Sequence, residues 1–495
     1  MKRICRILLT LCLVLVLVPG AVVTARAEDG VAIDETNFPD ETFRGYVQDH
    51  FDANADGSLS AAEITAVRRI EVTESEITSL DGVEYFTALT HLFCAGNRLT
   101  SLDVSANTKL AYLECFGNQL TALDVSGCTR LAYLYCYDNQ LSELDVSANT
   151  ALARLECQIN QLTALDVSAS TILTYLDCGD NQLTALDVSS NTKLVYLYCN
   201  DNQLPSLDVS KNVGLEWLLC GNNQLTTLDV SKNTALACLS CFVNQLTELD
   251  VSANTALMML SCGGNQLTTL DVSANTALQT LEFGGNQLTS VDVSKNTLLE
   301  TLNCGTNQLT TLDISANTAL KFLQCQNNQL TTLDVSKNVA LEWMYCYGNP
   351  IATLDISSCP NLVDAFTGGT KTEKIYAGVN CWEYTHGGYR LGIAPDTMIV
   401  TAPALEGWQL VDGKWYYYED GSAVTGWKLI DNKWYWFNDA GVMQTLWQQI
   451  GGKWYYFQSG GAMATGWQKI NDVWYYFASG GGMVTGWQKI GDVWY

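Results

Sequence analysis

Five oxygen-bearing side chains stand at regular, short intervals early in the chain. They occupy positions 1, 3, 5, 7 and 12 of a twelve-residue window and are Asp52, Asn54, Asp56, Ser58 and Glu63. Calcium takes six to eight oxygen ligands, a sharp glycine turn in mid-loop and a two-oxygen carboxylate at the last position. Gly57 stands where that turn is needed. The spacing therefore predicts that these five residues bind calcium.

This window resembles an EF-hand loop, and its flanks agree with the resemblance. Apolar residues at helical spacing precede it up to Phe51 and follow it from Ala61 to Ile70, which predicts a helix on each side. A dockerin-like adaptor is the alternative, but the resemblance to that family would imply a duplicated pair of loops, and only one loop is present. We expect residues 28–76 to form a calcium-stapled helical cap on the repeats that follow.

Tryptophan pairs at the C-terminal end form a second candidate site. Five pairs, each seven residues apart, lie between Trp408 and Trp494, and eleven of the fourteen tryptophans lie in the last ninety residues. This density exceeds what ordinary core packing needs. A quaternary ammonium offers no hydrogen-bond donor, so a cage of aromatic ring faces is the direct way to hold it.

The unit G-W-x-x-[LI]-x-x-x-W-Y-x-[FY] resembles the choline-binding cell-wall repeats. The resemblance implies a solenoid of β-hairpins at residues 406–495, with choline of teichoic acid held between successive hairpins. It implies four cages: Trp408, Trp415 and Tyr435; Trp427, Trp434 and Tyr455; Trp447, Trp454 and Tyr475; Trp467, Trp474 and Tyr495. Similar aromatic repeats hold glucans instead, and rings that only pack the solenoid are a further alternative.

Two departures from the unit bear on these cages. Leu446 replaces the glycine before Trp447, which is expected to reshape the pocket that Trp447 joins. The sequence ends at Tyr495 inside a hairpin, which indicates either an incomplete fourth cage or a shortened chain.

Between the two candidate sites, a 21-residue pattern repeats thirteen times from Leu89 to Asn349. Leucines, a cysteine and an asparagine recur at fixed places, and the pattern resembles the leucine-rich-repeat family. Each unit is a nested 10 plus 11 residues, similar to the bacterial IRREKO-type class, which implies two short strands in each turn. We expect the solenoid to span residues 77–360, with the asparagines bonding the backbone of adjacent turns.

Two positions of the repeat, which we call the cysteine column and the aspartate column, could serve either as chemical sites or as structural elements. Twelve cysteines stand 21 residues apart, and Phe283 fills the one missing place, so we expect buried thiols rather than disulfides or a metal ladder. Aspartates recur from Asp103 to Asp355 at the same spacing. We expect them to face solvent, although their column also suggests calcium.

Aromatic residues cluster on the outward side of the early repeats. The position three before each cysteine gives Tyr112, Tyr133, Tyr175, Tyr196 and Trp217. Exposed aromatic residues mark binding faces, which favours recognition of a protein or glycan ligand. Ring stacking between strands, as plain sheet stabilisation, is the alternative.

Compartment and charge follow from the first residues and the composition. Three basic residues, an apolar run and Ala25-Arg26-Ala27 predict a signal peptide at residues 1–27. Without it the net charge moves from −26 to −30, which argues against nucleic-acid partners. Residues 361–405 have a β-rich composition and are expected to form a C-terminal cap and linker. No other segment approaches the length of a membrane span.

The expected fold is mainly β, with a leucine-rich-repeat solenoid between an α-helical EF-hand-like cap and a β-hairpin solenoid. Three scattered histidines, without a nucleophile or nucleotide motif beside them, favour a protein that is not an enzyme. We expect a secreted surface protein of a bacterial cell wall, an adhesin or sensor, anchored reversibly through choline. The alternative is a released scaffold protein whose aromatic repeats bind glucan.

Overall fold

A computed structural model describes residues 30–376, 378–402, 406–411, 413–419 and 421–495. The expected signal peptide and residues 403–405 of the expected linker lie outside them. The N-terminal cap consists of β1 (Val31–Ala32), α1 (Glu41–Phe51), β2 (Ser58–Leu59), α2 (Ala61–Ala66) and β3 (Arg69–Glu71). None of the three described helices is long and apolar enough to cross a membrane.

The second helix of the cap is shorter than predicted. It ends at Ala66, and Ile70, which was expected on its apolar face, lies in β3 instead. The strand β3 pairs in parallel with the first repeat strand, with Ile70 opposite Leu92. Sheet pairing therefore overrides the helical spacing, and the sheet of the solenoid begins inside the segment assigned to the cap.

One three-residue strand in each turn builds the solenoid after the short 3₁₀ helix Val83–Tyr85. The thirteen strands are β4 (His91–Phe93), β5 (Tyr112–Glu114), β6 (Tyr133–Tyr135), β7 (Arg154–Glu156), β8 (Tyr175–Asp177), β9 (Tyr196–Tyr198), β10 (Trp217–Leu219), β11 (Cys238–Ser240), β12 (Met259–Ser261), β13 (Thr280–Glu282), β14 (Thr301–Asn303), β15 (Phe322–Gln324) and β16 (Trp343–Tyr345). Each pairs in parallel with the next, residue for residue at a spacing of 21.

The central residue of each strand and the cysteine column fill one continuous core. Every column cysteine is buried and free, and Phe283 is buried in the same column. Burial raises the pKa of these thiols, to about 12 for Cys136, so they stay protonated and unreactive. The prediction that the thiols serve as small apolar side chains is confirmed.

Asparagine side chains join the turns, as predicted. The Nδ2 group of Asn118 donates to the carbonyl oxygens of Cys94 and Cys115, 3.0 Å away in each case, and its Oδ1 accepts from the amide of Leu99 at 3.0 Å. A second column, represented by Asn107, is fully buried and donates to two carbonyls of the preceding turn. At two places in that column the thiols of Cys128 and Cys359 donate instead, so their role is also structural.

The second half of each turn differs from the prediction of a second strand. Within the described residues, β-pairing in the second half-turns occurs only at two places. One is an isolated bridge between Asp103 and Asp124, and the other is the last turn, where β17 (Thr353–Asp355) forms. The side chain of each aspartate in the column accepts a hydrogen bond from the backbone two residues later. Asp124 Oδ1, for example, accepts from the amide of Ser126 at 2.9 Å. This turn holds the pKa of Asp124 below its usual value and leaves the side chain exposed, as expected.

A C-terminal cap closes the stack after β17. It contains α3 (Pro360–Gly368), which was not predicted, then β18 (Thr370–Tyr376), β19 (Val379–His386), β20 (Tyr389–Ile393) and β21 (Met398–Val400). The strand β20 pairs with β16, and β21 pairs with β17. Glu383 is almost fully buried, and it accepts from Tyr345 Oη at 2.5 Å and lies 3.6 Å from Lys374 Nζ.

The aromatic repeats form successive antiparallel hairpins, as the resemblance implied. Their strands are β22 (Gly407–Val411), β23 (Lys414–Glu419), β24 (Ser422–Ala423), β25 (Gly426–Ile430), β26 (Lys433–Phe437), β27 (Leu446–Ile450), β28 (Lys453–Phe457), β29 (Gly466–Ile470), β30 (Val473–Phe477), β31 (Lys489–Ile490) and β32 (Val493–Trp494). Phe437, Phe457 and Phe477 are fully buried, one at the end of each middle hairpin. Each packs against the first tryptophan of the preceding hairpin, as Phe437 does against Trp408 with ring centroids 5.8 Å apart. The second tryptophan of each hairpin stays exposed.

Candidate functional site

The first aromatic cage joins two tryptophans of one hairpin to a tyrosine of the next. The ring centroids of Trp408 and Trp415 are 6.3 Å apart at an interplanar angle of 87°, and those of Trp408 and Tyr435 are 4.9 Å apart at 69°. The three rings line a pocket of about 410 Å³. Rings set nearly at right angles around an opening present their faces to one point, which is the geometry that a quaternary ammonium needs.

The other three cages repeat this geometry. In the second, Trp427 lies 6.3 Å from Trp434 and 5.0 Å from Tyr455, around a pocket of about 420 Å³. The remaining two have the same separations within 0.1 Å: Trp447 with Trp454 and Tyr475, and Trp467 with Trp474 and Tyr495. The structure thus brings together all twelve predicted residues, in the four predicted groups.

The fourth cage contains its three rings, contrary to the expectation that it is incomplete. The separation of 5.0 Å between Trp467 and Tyr495 equals that of the second cage. It is the most open of the four, since Trp474 is 61% exposed against 44% for Trp434.

Methionines also line the cages, although the sequence pattern did not predict them as cage residues. Met443 lines the first pocket and Met463 lines the second. The amide of Met443 donates to the carbonyl of Trp415 at 2.8 Å, so the segment after one hairpin reaches back to the hairpin before it. A polarisable thioether beside aromatic rings suits a cation-binding pocket. The recurrence of Met443, Met463 and Met483 at every twentieth residue was the available signal.

Leu446 occupies a backbone position that its counterparts fill with glycine. Its φ angle is 61°, and the glycines at the equivalent places have φ angles between 66° and 78°. The expectation that Leu446 reshapes its cage is wrong, because the rings of Trp447, Trp454 and Tyr475 keep the common separations. The substitution strains the backbone and leaves the pocket unchanged.

We therefore expect Leu446→Gly to raise stability without altering the cage. A left-handed conformation costs a non-glycine residue roughly 1–2 kcal/mol, partly offset by the entropy of glycine, so the gain is about 1 kcal/mol. Denaturant unfolding of the full chain, followed by tryptophan fluorescence, measures it. Leu429→Gly, at an exposed strand position, is the control and is expected to destabilise. Equal losses of stability in both variants would contradict the conclusion that Leu446 strains the backbone.

The predicted ligand face forms a belt of aromatic residues across strands β5 to β10. We call Tyr112, Tyr133, Tyr175, Tyr196 and Trp217 the aromatic belt. Its rings contact one another, with centroids 5.6 Å apart for Tyr112 and Tyr133 and 5.5 Å for Tyr175 and Tyr196. Tyr133 is still 43% exposed and Trp217 37%. Cross-strand stacking and an accessible aromatic face are therefore both present.

A charged residue interrupts the belt and organises its electrostatics. The guanidinium carbon of Arg154 lies 3.8 Å from the ring centroid of Tyr175, and Arg154 Nη2 pairs with Glu156 Oε1 at 2.5 Å. Burial raises the pKa of the neighbouring Asp177 to about 6. The belt is thus aromatic and acidic, with one cation that is already paired.

The predicted calcium loop folds into a closed turn. Asp52 accepts from the amides of Asp56 and Gly57, which turns it into the loop. Glu63 accepts from the amides of Ala53 and Ser60, forming a capping box at the start of α2. The all-oxygen donor set fits calcium by its chemistry. In the described part of the chain, however, no three acidic, histidine or cysteine side chains are grouped as a metal site.

Fold and cages together define a leucine-rich-repeat solenoid protein with aromatic hairpin repeats. Four overlapping segments, residues 405–443, 424–465, 445–484 and 464–495, match the choline-binding repeat family. The solved functional domain of internalin J from Listeria monocytogenes, described as including a cysteine ladder, is 31% identical. That match covers 76% of this chain and 100% of the other, with a TM-score of 0.61.

One further comparison agrees in fold and another in sequence. The structure of an internalin, InlF, from Listeria monocytogenes is 24% identical over 68% of this chain and 96% of that one, with a TM-score of 0.56. Full-length internalin J of Listeria monocytogenes serotype 4b is 40% identical over 71 residues. That segment is 14% of this chain and only 8% of the length of that relative. The chain belongs to the internalin-like leucine-rich-repeat family and carries choline-binding repeats.

Proposed function

We propose that this protein is held at a bacterial cell surface by choline of teichoic acid, and that its leucine-rich-repeat solenoid recognises a protein or glycan ligand. The four equivalent aromatic cages carry the proposal. Both modules belong to families of binding modules rather than enzymes. On this proposal the protein is a secreted adhesin or sensor, exported by the segment at residues 1–27.

The physics of the cages supports a reversible anchor. One cage contributes about 1–2 kcal/mol of cation–π attraction, which alone gives weak binding. Four tethered cages on a polymer that carries many choline groups bind far more tightly, because each further contact is intramolecular. Such an anchor is expected to release when free choline fills the cages.

Retention on a choline-bearing resin tests the anchor. The full chain is expected to bind the resin and to elute with free choline, whereas an equal concentration of glucose or sodium chloride leaves it bound. Retention by a glucan resin with no retention by choline would contradict the proposal. It would favour a released scaffold protein that binds glucan.

We also propose that the loop of Asp52, Asn54, Asp56, Ser58 and Glu63 binds calcium and stabilises the N-terminal cap. In support, the loop is already turned, and Asp52 and Glu63 meet its backbone from both ends. Calcium binding requires Glu63 to exchange its capping contacts for the metal.

Calcium is accordingly expected to raise the unfolding temperature of the full chain, because a ligand that binds only the folded state stabilises it by mass action. Glu63→Gln removes one carboxylate charge and should abolish the rise. Glu35→Gln, an exposed acid outside the loop, should retain it. The same rise in all three proteins would show that calcium acts elsewhere.

A further inference from the structure

A trench crosses the sheet face of the solenoid beyond the aromatic belt. Its volume is about 510 Å³, within the range of roughly 300–1,000 Å³ that is typical of small-molecule sites. The lining residues that matter here are Ser240, Phe242, Ser261, Glu282, Asn303 and Gln326. None of them belongs to the cages, the calcium loop or the aromatic belt.

One glycine in each of three successive turns leaves space for the trench. Gly263, Gly284 and Gly305 follow the core column in successive turns, at a place where other turns have residues such as Phe116 or Tyr347. A Cβ atom on Gly263 would lie 2.7 Å from the carbonyl oxygen of Gly284. A side chain at Gly263 would therefore force the backbone to shift, and without side chains the floor lies lower than the neighbouring face.

Polar side chains gather at the trench, which is an observation independent of the glycines. Ser240 and Ser261 are each only 7% exposed and line the trench. Gln326 also lines it, and its buried Oε1 atom has no hydrogen-bond partner among the described residues. Buried polar groups normally have hydrogen-bond partners. An unpaired acceptor beside an open cavity favours a ligand that supplies the missing bond.

The lining specifies the chemistry of that ligand. Hydroxyl, amide and carboxylate groups alternate with the ring of Phe242 and the side chain of Met259, and the described lining contains no lysine or arginine. A site without cations does not select anions, and one carboxylate without a ring cage does not select a quaternary ammonium. Sugar rings present hydroxyl groups at their edges and apolar C–H faces, which this lining matches.

A peptide strand fits the floor less well. The carbonyl oxygens of Gly263, Gly284 and Gly305 already accept backbone amides from the preceding turns, each at 2.8 Å. A bound peptide would have to meet side chains rather than a free sheet edge. We infer that this trench is a binding subsite for a short neutral saccharide, held by Ser240, Ser261 and Glu282 against Phe242. The inference rests on the proposed function, since it takes the sheet face of the solenoid as a recognition surface.

Ligand-observed saturation-transfer NMR on the full chain tests the subsite. Free choline at saturation occupies the cages, and the probes are neutral trisaccharides of glucose, galactose, mannose and N-acetylglucosamine, with triglycine for comparison. At least one trisaccharide is expected to bind, and triglycine is not. Ser261→Ala with Glu282→Gln removes one hydroxyl group and one carboxylate charge without adding volume and should weaken binding at least about tenfold. Gly284→Phe, which fills the trench, should abolish it.

The second half-turns provide the matched control. Ser252→Ala with Glu248→Gln makes the same two changes at exposed residues outside the trench and should leave trisaccharide binding unchanged. Loss of binding when Tyr133, Tyr175 and Trp217 are replaced with serine, with retention in both trench variants, would overturn the subsite but keep the sheet face as a recognition surface. Binding of triglycine alone, or of no trisaccharide, would also overturn it and would leave the choline anchor untouched. Should Gly284→Phe unfold, as circular dichroism would show, the Ser261 and Glu282 pair decides.

Discussion

Replacing one tryptophan in every cage with alanine is expected to abolish retention of the protein by choline resin. The four substitutions are Trp415→Ala, Trp434→Ala, Trp454→Ala and Trp474→Ala. Each side chain is at least 43% exposed, so its removal takes little from the hairpin core. The change should therefore affect binding much more than folding.

The size of the effect follows from the number of cages. Loss of one ring face weakens one cage by about 1–2 kcal/mol. Loss in all four cages also removes the gain from multivalency, which is typically about 10²–10⁴ in apparent affinity. Surface plasmon resonance on a choline-coated chip, at several densities of choline, separates the contribution of single cages from that of avidity.

The chain offers a control at the adjacent positions. Lys414, Lys433, Lys453 and Val473 each precede a substituted tryptophan on the same strand and are exposed. Alternation along a strand directs them to the opposite face, so alanine at all four should leave retention intact. If the control lost binding as fully as the tryptophan variant, general damage to the hairpins would explain both results, and the cages would lose their support.

Phe283→Cys is expected to destabilise the solenoid although it restores the residue of the other turns. The ring of Phe283 is fully buried among close-packed leucines. Exchanging a buried phenylalanine for a much smaller side chain leaves a cavity and costs about 2–4 kcal/mol. Equilibrium denaturation and hydrogen exchange of β12 to β14 would measure this loss.

A second exception lies in the same turn and changes the side-chain volume in the opposite direction. Val291 stands where the other turns have leucine, for instance Leu270 and Leu312, so one side chain is larger and another smaller. Cores tolerate paired changes that conserve volume better than single ones. Phe283→Cys with Val291→Leu should therefore recover part of the stability, whereas Val291→Leu alone should overpack the turn. A stabilising effect of the single Phe283→Cys change would refute this account.

Much of the candidate site could be predicted from the sequence because repetition fixes the partners. Once the tryptophan pairs and the following tyrosine recur every nineteen or twenty residues, stacking of hairpins leaves few ways to combine them. Trp408, Trp415 and Tyr435 meet as expected for this reason. Met443 was missed because its place depends on a backbone bond to Trp415, which connects segments that the repeat unit does not show as neighbours.

Non-periodic features were harder to predict. The helical spacing of Ile64 and Ile70 is real, but pairing with β4 decides the conformation of Ile70. The helix α3 has an apolar pattern, but it contains only nine residues. So short a pattern does not outweigh the β-rich composition of the segment around it. In the solenoid, the leucine pattern of the second half-turn matches that of the first, but a local turn such as that from Asp145 to Ser147 replaces sheet pairing there.

Because each cage borrows its tyrosine from the following hairpin, a hairpin alone contains no complete pocket. The five described hairpins accordingly hold four cages. Unequal recombination that inserts one unit anywhere in the array would add one full pocket, and a deletion would remove one without leaving a half-formed site. The strength of the proposed choline anchor can therefore change during evolution in whole steps, with the number of repeats in the array, while the solenoid stays the same.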